Sequence, residues 1–207
     1  MPIDPGVLAL FVVAIVVICL TPGPDMIYVL AHAISQGPMA GVVASAGMAV
    51  GMLVHTLAVT LGLATLMAAA PLLFDVIKWA GAAYLVYIGI RSWIDSGKPP
   101  VVGDRPRVPL RTVLWRATVT NLLNPKIVLF YLAFLPQFVD RERGGTGVQL
   151  LVLGLLFVVV GFVIDALIAL VAGKASAFLL RRRQVDKLLN RIAGTVFLAL
   201  AARLVVT

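Results

Sequence analysis

The sequence predicts an all-α integral membrane protein with six transmembrane helices, arranged as two inverted three-helix repeats with broken first and fourth helices. Three observations predict this fold class. The 207-residue chain is 61% hydrophobic and 13% charged, whereas soluble domains are about half apolar and about a quarter charged. Its apolar residues form six runs, each close to the roughly 20 residues that a helix needs to cross a bilayer. Its net charge of +8 is concentrated in connections between those runs.

The six runs and their connections use the whole chain, so we expect one transmembrane domain, 1–207, and no soluble domain. In chain order the predicted spans are 6–33, 40–69, 72–93, 112–138, 148–171 and 188–206. The first repeat is 1–94, the connection between the repeats is 95–111, and the second repeat is 112–207. This composition excludes an ordinary soluble enzyme, a disordered chain and a nucleic-acid binder.

Prolines interrupt two of the spans at matched places. A proline has no N–H and clashes with the preceding helical turn. The first span is interrupted at Thr21-Pro22-Gly23-Pro24-Asp25, and the fourth at Asn124-Pro125-Lys126. Thr21 or Gly23 before Pro24, and Asn124 before Pro125, are then the predicted caps, and each proline is the first residue of a restarted helix.

Lysine and arginine are distributed unevenly between the two sides of the predicted bundle. Twelve lie in or beside the connections 94–111 and 174–187, whereas four would lie on the other side. Because cytoplasmic loops carry the excess of positive charge, both connections are predicted to be cytoplasmic. Six crossings then place the N- and C-termini outside.

The two halves resemble each other in order along the chain. Residues 78–85 are echoed by residues 191–198, and Gly51 with His55 is echoed by Gly161 with Asp165. Three helices in each half is an odd number, so the second copy enters the membrane upside down. An inverted repeat with a broken helix in each half is a transporter architecture.

The two breaks carry opposite charges. Each restarted helix has free N–H groups and a positive dipole end that can bind an anion. Asp25 offsets that positive end, whereas Lys126 adds to it, so the break in the fourth span is the unsatisfied anion site. A zwitterion such as an amino acid suits the pair, with its carboxylate toward Lys126 and its ammonium toward Asp25. The candidate substrate-binding residues are Thr21, Pro22, Gly23, Pro24, Asp25, Asn121, Asn124, Pro125 and Lys126.

Two alternatives to a binding site stay open at this point. The prolines could be kinks that only shape the packing of the helices. Asp25 and Lys126 could form a salt bridge that only joins the two halves. An ionisable group in the membrane costs about 3 kcal/mol and usually has a function.

Two further ionisable residues lie near mid-span on faces of small residues. Gly47, Gly51 and His55 follow at intervals of four, and Gly161 and Asp165 repeat that interval, so each set shares one helix face. We predict Asp165 and His55 as proton-coupling candidates. The alternative for His55 is a neutral residue that forms a hydrogen bond between helices.

Enzymatic and structural functions are the remaining alternatives. The single Cys19 excludes an intrachain disulfide and chemistry that needs a cysteine pair. An intramembrane aspartyl-type protease would use Asp25 and Asp165, but neither lies in a Gly-x-Gly-Asp context. A non-transporting scaffold would not explain charged residues inside the membrane. We therefore expect no catalytic residue, no metal and no cofactor.

Several sequence strings, in order along nearly the whole chain, resemble the LysE/RhtB family of amino-acid exporters. The strings are Leu20-Thr21-Pro22-Gly23-Pro24-Asp25, Lys78-Trp79-Ala80-Gly81-Ala82-Ala83-Tyr84-Leu85, Asn121-Leu122-Leu123-Asn124-Pro125-Lys126 and Phe134-Leu135-Pro136-Gln137-Phe138. The resemblance implies a protein of the bacterial cytoplasmic (inner) membrane that exports amino acids or close derivatives. Its expected partners are the amino acid, protons and the lipid bilayer, with a homodimer as a further expectation. The direction of transport comes only from this resemblance.

Overall fold

The computed structural model describes residues 3–63, 71–94, 107–140 and 142–175, together with 191–192, 194–195, 198–199 and 201–202. All regular elements in these ranges are helical. They are α1 (Pro5–Leu20), α2 (Pro24–Gln36), α3 (Pro38–Ala58), α4 (Pro71–Ile94), α5 (Leu110–Leu122), α6 (Pro125–Leu129) and α7 (Thr146–Ala175). The predicted first, third, fourth and fifth spans are thus helical, and the second is helical as far as it is described. The connection 95–106, most of the connection 174–187 and much of the sixth span lie outside the described residues.

Both predicted breaks are confirmed. The axes of α1 and α2 are bent by 57°, and those of α5 and the helical segment Pro125–Phe138 by 50°. Each bent pair is long and apolar enough to cross a membrane as one span, and so are Pro38–Gly62 and Thr146–Ala172 individually. The described part of the chain therefore forms an all-α membrane protein with two continuous candidate spans and two bent ones.

Local sequence signals explain where the first helices begin and end. The Asp4 carboxylate caps α1 by accepting hydrogen bonds from the backbone N–H groups of Gly6 (2.8 Å) and Val7 (3.3 Å), which have no partner within the helix. Only Gly37 separates α2 from α3, and its φ of 98° lies in the left-handed region that favours glycine. The chain thus reverses from α2 into α3 through a single residue.

Two stretches depart from the continuous α-helices that the sequence predicts. Val59–Leu63 and Phe130–Phe134 each form a π-helical turn, and Leu135–Phe138 follows as a 3₁₀-helix. Pro136 lacks the N–H that an α-helix would need there. Hydrophobic periodicity does not reveal these single π-helical turns, because both stretches are apolar at nearly every position.

Close packing of α3 against α5 and α7 places the functional residues together. A Cβ atom on Gly51 would lie 2.6 Å from Asn121 Oδ1, and one on Gly47 would lie 2.7 Å from the Cβ of Ala117. Such distances leave no room for a side chain, which confirms the predicted small-residue face on α3. On α7 the opposite face carries exposed apolar side chains, as expected for lipid contact: Leu155, Val159, Val163 and Leu167.

Candidate functional site

The Lys126 side chain crosses from the second break to the end of α1. Its Nζ donates hydrogen bonds to the backbone oxygens of Ile18 (3.2 Å) and Thr21 (3.1 Å). Carbonyl groups in the last turn of a helix have no partner within it and carry the negative end of its dipole. Lys126 therefore satisfies the end of α1 both by hydrogen bonding and by charge.

The Asp25 side chain reaches from the first break to the end of α5. It is buried in the first turn of α2, and its Oδ2 accepts a hydrogen bond of 2.9 Å from Asn121 Nδ2 in the last turn of α5. Its Oδ1 is buried and has no hydrogen-bond partner among the described residues. The charged group at each break is thus held by the other half of the chain.

The caps of the two restarted helices differ in chemistry. Asn124 caps α6, with its Oδ1 accepting the backbone N–H of Lys126 at 3.0 Å, and Pro125 is the first helical residue. Gly23 precedes Pro24 in extended backbone and has no side chain to form a cap. A Cβ atom on Gly23 would lie 3.1 Å from Lys126 Nζ. Gly23 therefore leaves room for the lysine ammonium beside the first break.

Thr21 and Pro22 complete the connection between α1 and α2. The Thr21 hydroxyl donates to the Val17 carbonyl at 2.7 Å, so it stays within its own helix. Its backbone oxygen instead accepts from Lys126. The residues 21–24 thus contribute backbone shape and one carbonyl group to the site rather than polar side chains.

One small cavity lies between the breaks. Its polar lining consists of Asp25, Asn121, Lys126 and Asp165, and its volume is about 20 Å³, which is room for about one water molecule. Three predicted substrate-binding side chains and one predicted proton-coupling residue therefore share a single buried space. Its apolar lining is Ile18, Cys19, Met26, Met52, Ile127, Phe157 and Gly161.

Asp25 and Lys126 are not joined by a direct ion pair. Among the described residues, no oxygen of Asp25 lies within 4.0 Å of Lys126 Nζ, and the ion pairs found are those of Arg143 with Asp4 and Asp140. At the second break, which the sequence predicts as the unsatisfied anion site, the Lys126 ammonium already contacts two carbonyl oxygens of the first half.

The two proton-coupling candidates are placed differently. Asp165 is 8% exposed and lines the cavity. His55 lies outside the cavity lining, where its ring stacks on Tyr131 with centroids 5.5 Å apart, and its Nε2 has no hydrogen-bond partner among the described residues. The structure thus brings Asp165, and not His55, into contact with the space between the breaks.

A family model described as LysE type translocator matches residues 16–207. The chain belongs to this translocator family. The resemblance to this family is therefore confirmed over nearly the whole chain, and the translocators of this family are transport proteins rather than enzymes. The family assignment does not favour the intramembrane protease.

Curated relatives match almost end to end. The translocator is 32% identical over 195 residues to a leucine efflux protein of Klebsiella pneumoniae, covering 94% of this chain and 92% of that protein. It is 29% identical over 198 residues to the leucine efflux proteins of Salmonella choleraesuis and Salmonella typhimurium, with the same coverage. No solved structure matches the translocator.

Sequence reasoning placed Gly161 on the face of Asp165 but missed the rest of the apolar lining of the cavity. A signal for Phe157 was present, since Phe157 and Gly161 precede Asp165 at intervals of four on α7 and so share its face. Met52 carries no such signal, because one apolar residue on an apolar helix resembles any other. The backbone oxygens of Ile18 and Thr21 could not be identified at all without the fold.

Proposed function

We propose that this translocator is a secondary transporter that exports amino acids across the bacterial cytoplasmic membrane in exchange for protons. The observation that carries the proposal is the single cavity between the two breaks, lined by Asp25, Asn121, Lys126 and Asp165. Carboxylates and an ammonium group in one buried space match the two charges of an amino acid. The names of the relatives, leucine efflux proteins, support an amino acid with an aliphatic side chain as the cargo.

The zwitterion would be bound through groups whose hydrogen-bonding capacity is not used up. Lys126 Nζ has three N–H donors, of which two contact Ile18 of α1 and Thr21 just after it, so the third is available to a substrate carboxylate. Asp25 Oδ1 and Asn121 Oδ1 have no partner among the described residues and would accept from the substrate ammonium. Such charge-assisted hydrogen bonds are about twice as strong as neutral ones.

Transport requires the cavity to open. A space for about one water molecule is too small for any amino acid, so we interpret the present conformation as a closed one. We propose that the two repeats, 1–94 and 112–207, move against each other about the breaks to expose the site to each side alternately, as in other inverted-repeat transporters. Thr21, Pro22, Gly23, Pro24, Asn124 and Pro125 then act by shaping the backbone around the site.

Proton coupling is assigned to Asp165, because its carboxylate lines the same cavity as the substrate groups. His55, which lies beside Tyr131, is the second candidate. In reconstituted vesicles, Asp165→Asn should retain exchange of leucine for leucine but lose accumulation driven by a pH gradient. If the variant still accumulates leucine against its gradient, the coupling group is elsewhere and His55→Gln is the next variant to measure.

The central experiment is a flux assay with the purified protein in liposomes that have an acidic lumen. Proton exit should drive radiolabelled leucine into the vesicles, and a protonophore should abolish the accumulation. The control is vesicles that contain the double variant Asp25→Asn with Lys126→Met, which lacks the two charges proposed to bind the substrate. An absence of protein-dependent flux for every proteinogenic amino acid would overturn the proposed function.

The membrane orientation is proposed from the charge distribution and is tested separately. In a Cys19→Ala background, Ser96→Cys and Gln184→Cys should be protected from an impermeant thiol reagent in intact cells. Pro2→Cys and Gly145→Cys should react. The reverse labelling pattern would place the termini inside and invert the proposed direction of access.

A further inference from the structure

In the apolar wall of the cavity, the thioether end of Met52 lies beside Gly161. A Cβ atom on Gly161 would lie 2.9 Å from Met52 Cε and 3.2 Å from Met52 Sδ. Both distances are shorter than ordinary carbon and sulfur contacts, so the thioether end keeps its present position only with a glycine at position 161. The Met52 side chain therefore lies directly over the backbone of α7 at Gly161, four residues before Asp165.

Met52 is also a wall residue whose side chain is able to move. A methionine has three rotatable side-chain bonds and a polarisable thioether that adapts to irregular space. By contrast, Phe157 is fully buried and packs against Phe130 with ring centroids 4.6 Å apart. On the polar side, Lys126 is held by two carbonyl groups of α1. Rotation of Met52 thus changes the shape of the wall without moving Phe157 or Lys126.

An amino acid bound by its charged groups needs a place for its side chain. The cavity offers apolar surface from Ile18, Met26, Met52, Ile127 and Phe157 opposite its charged residues. If the end of Met52 turns away from Gly161, it leaves a space about as long as the aliphatic side chain of an amino acid, whether that side chain is branched or unbranched. A larger aromatic ring would also need Phe157 or the helix backbones to move.

We propose that Met52 and Gly161 form the side-chain subsite of the amino-acid site, which an aliphatic side chain enters by displacing the thioether of Met52. This inference rests on the proposed function and deepens it. The pair sets the upper size limit of the cargo, so alanine, valine, leucine and methionine fit and phenylalanine is disfavoured. Met52 and Gly161 are specificity-determining residues, whereas the charged groups recognise what all amino acids share.

The test measures initial exchange rates of labelled alanine, leucine and phenylalanine in the same vesicle preparations. Rate ratios do not depend on the amount of active protein, so partial misfolding of a variant does not alter them. Met52→Ala enlarges the subsite and should raise the phenylalanine-to-leucine ratio about tenfold, which is typical of one or two carbons in an apolar pocket. Met52→Val is the milder variant and should raise the same ratio less.

Gly161→Ala provides an independent test in the opposite direction. The new methyl group forces Met52 into the cavity, so the leucine-to-alanine ratio should fall about tenfold. Adding Met52→Ala to Gly161→Ala removes the clash and should restore the leucine-to-alanine ratio. This restoration is expected only if the two residues occupy the same subsite.

Matched controls separate a specific effect from general loosening. Met48 is a fully buried methionine one helical turn before Met52 and outside the cavity lining, so Met48→Ala should leave both ratios unchanged. Gly147 is on α7, where an added Cβ meets nothing closer than 3.9 Å, so Gly147→Ala should also leave them unchanged. Ratios within twofold of wild type in both Met52→Ala and Gly161→Ala, or equal shifts in the controls, would overturn the inference. Wild-type vesicles that move no amino acid would instead overturn the proposed function.

Discussion

The break between α1 and α2 and the break between α5 and α6 share one backbone plan. In each, a helix ends, two or three residues connect, and a proline begins the next helix at an angle of 50–57°. The charges and the continuations differ. The first break is followed by Asp25 and a regular 13-residue helix, whereas the second is followed by Lys126, five α-helical residues, a π-helical turn and a 3₁₀-helix.

The two breaks therefore share their backbone geometry but not their electrostatics. The acidic break receives its hydrogen bond from Asn121 of the second half, and the lysine of the basic break donates to carbonyl groups of the first half. A symmetric pair of charges would suit a symmetric ligand. The opposite charges found here suit a substrate with one positive and one negative end.

The largest expected effect comes from removing the cation of the second break. Lys126→Met should weaken amino-acid binding by about 1.5–3 kcal/mol, or about tenfold to a hundredfold, because a charge-assisted hydrogen bond is lost. Binding of 3-methylbutylamine, which is leucine without its carboxylate, should weaken far less. Isothermal titration calorimetry of both ligands measures the two losses.

The same variant also distinguishes a binding role of Lys126 from a purely structural one. If Lys126 only neutralised Asp25, the double variant Lys126→Met with Asp25→Leu would recover transport as well as stability. We expect the double variant to remain inactive in the flux assay. Equal losses for leucine and its amine would also contradict the carboxylate role.

The next largest effect is expected from removing the side chain of Asn121, which donates a hydrogen bond to Asp25 at the first break. Asn121→Ala leaves the buried Asp25 Oδ2 without its hydrogen bond, which should destabilise the protein by about 1–3 kcal/mol. Thermal unfolding in detergent measures the change. Thr120→Ala is the adjacent control, because among the described residues the Thr120 hydroxyl donates only to the carbonyl of Arg116 in its own helix. If Thr120→Ala destabilises the protein as much as Asn121→Ala does, the loss of stability comes from any substitution near the end of α5 and not from the hydrogen bond to Asp25.

A smaller effect on stability is expected from the N-terminal caps, which differ between the two breaks. Asn124→Ala removes the side-chain cap of α6 and should lower stability by about 1 kcal/mol. Asn124→Ser should retain most of that stability, because serine is also a good cap. If alanine and serine have the same effect in thermal unfolding, the side-chain hydrogen bond does not stabilise the second break.

Gly23→Ala should have the smallest effect on stability, about 0.5 kcal/mol, because the first break has no side-chain cap to lose and its extended backbone accepts alanine. Its effect on binding should be larger, since the new methyl group would lie 3.1 Å from Lys126 Nζ and displace the ammonium. We expect leucine affinity to fall about tenfold, or about 1.4 kcal/mol. An unchanged affinity would mean that the exact position of the ammonium is unimportant.

The two breaks also show how far the sequence could predict the structure. Pro24 and Pro125 located both interruptions, because the missing N–H of proline acts locally. The partner of Lys126 was not predictable, since it is a set of backbone oxygens more than 100 residues away. The π-helical turn after Leu129 was not predictable either; in the structure Phe130 of this turn packs against Phe134 and Phe157.

Cys19 gives the chain an internal probe of its own conformation. It is the only cysteine among the 207 residues, and its partly buried thiol lines the cavity between the breaks. A methanethiosulfonate reagent can therefore modify the unaltered protein at one known place. The modification rates of reagents with progressively wider head groups would measure the width of the opening to the cavity, on either side of the membrane and at any stage of the transport cycle.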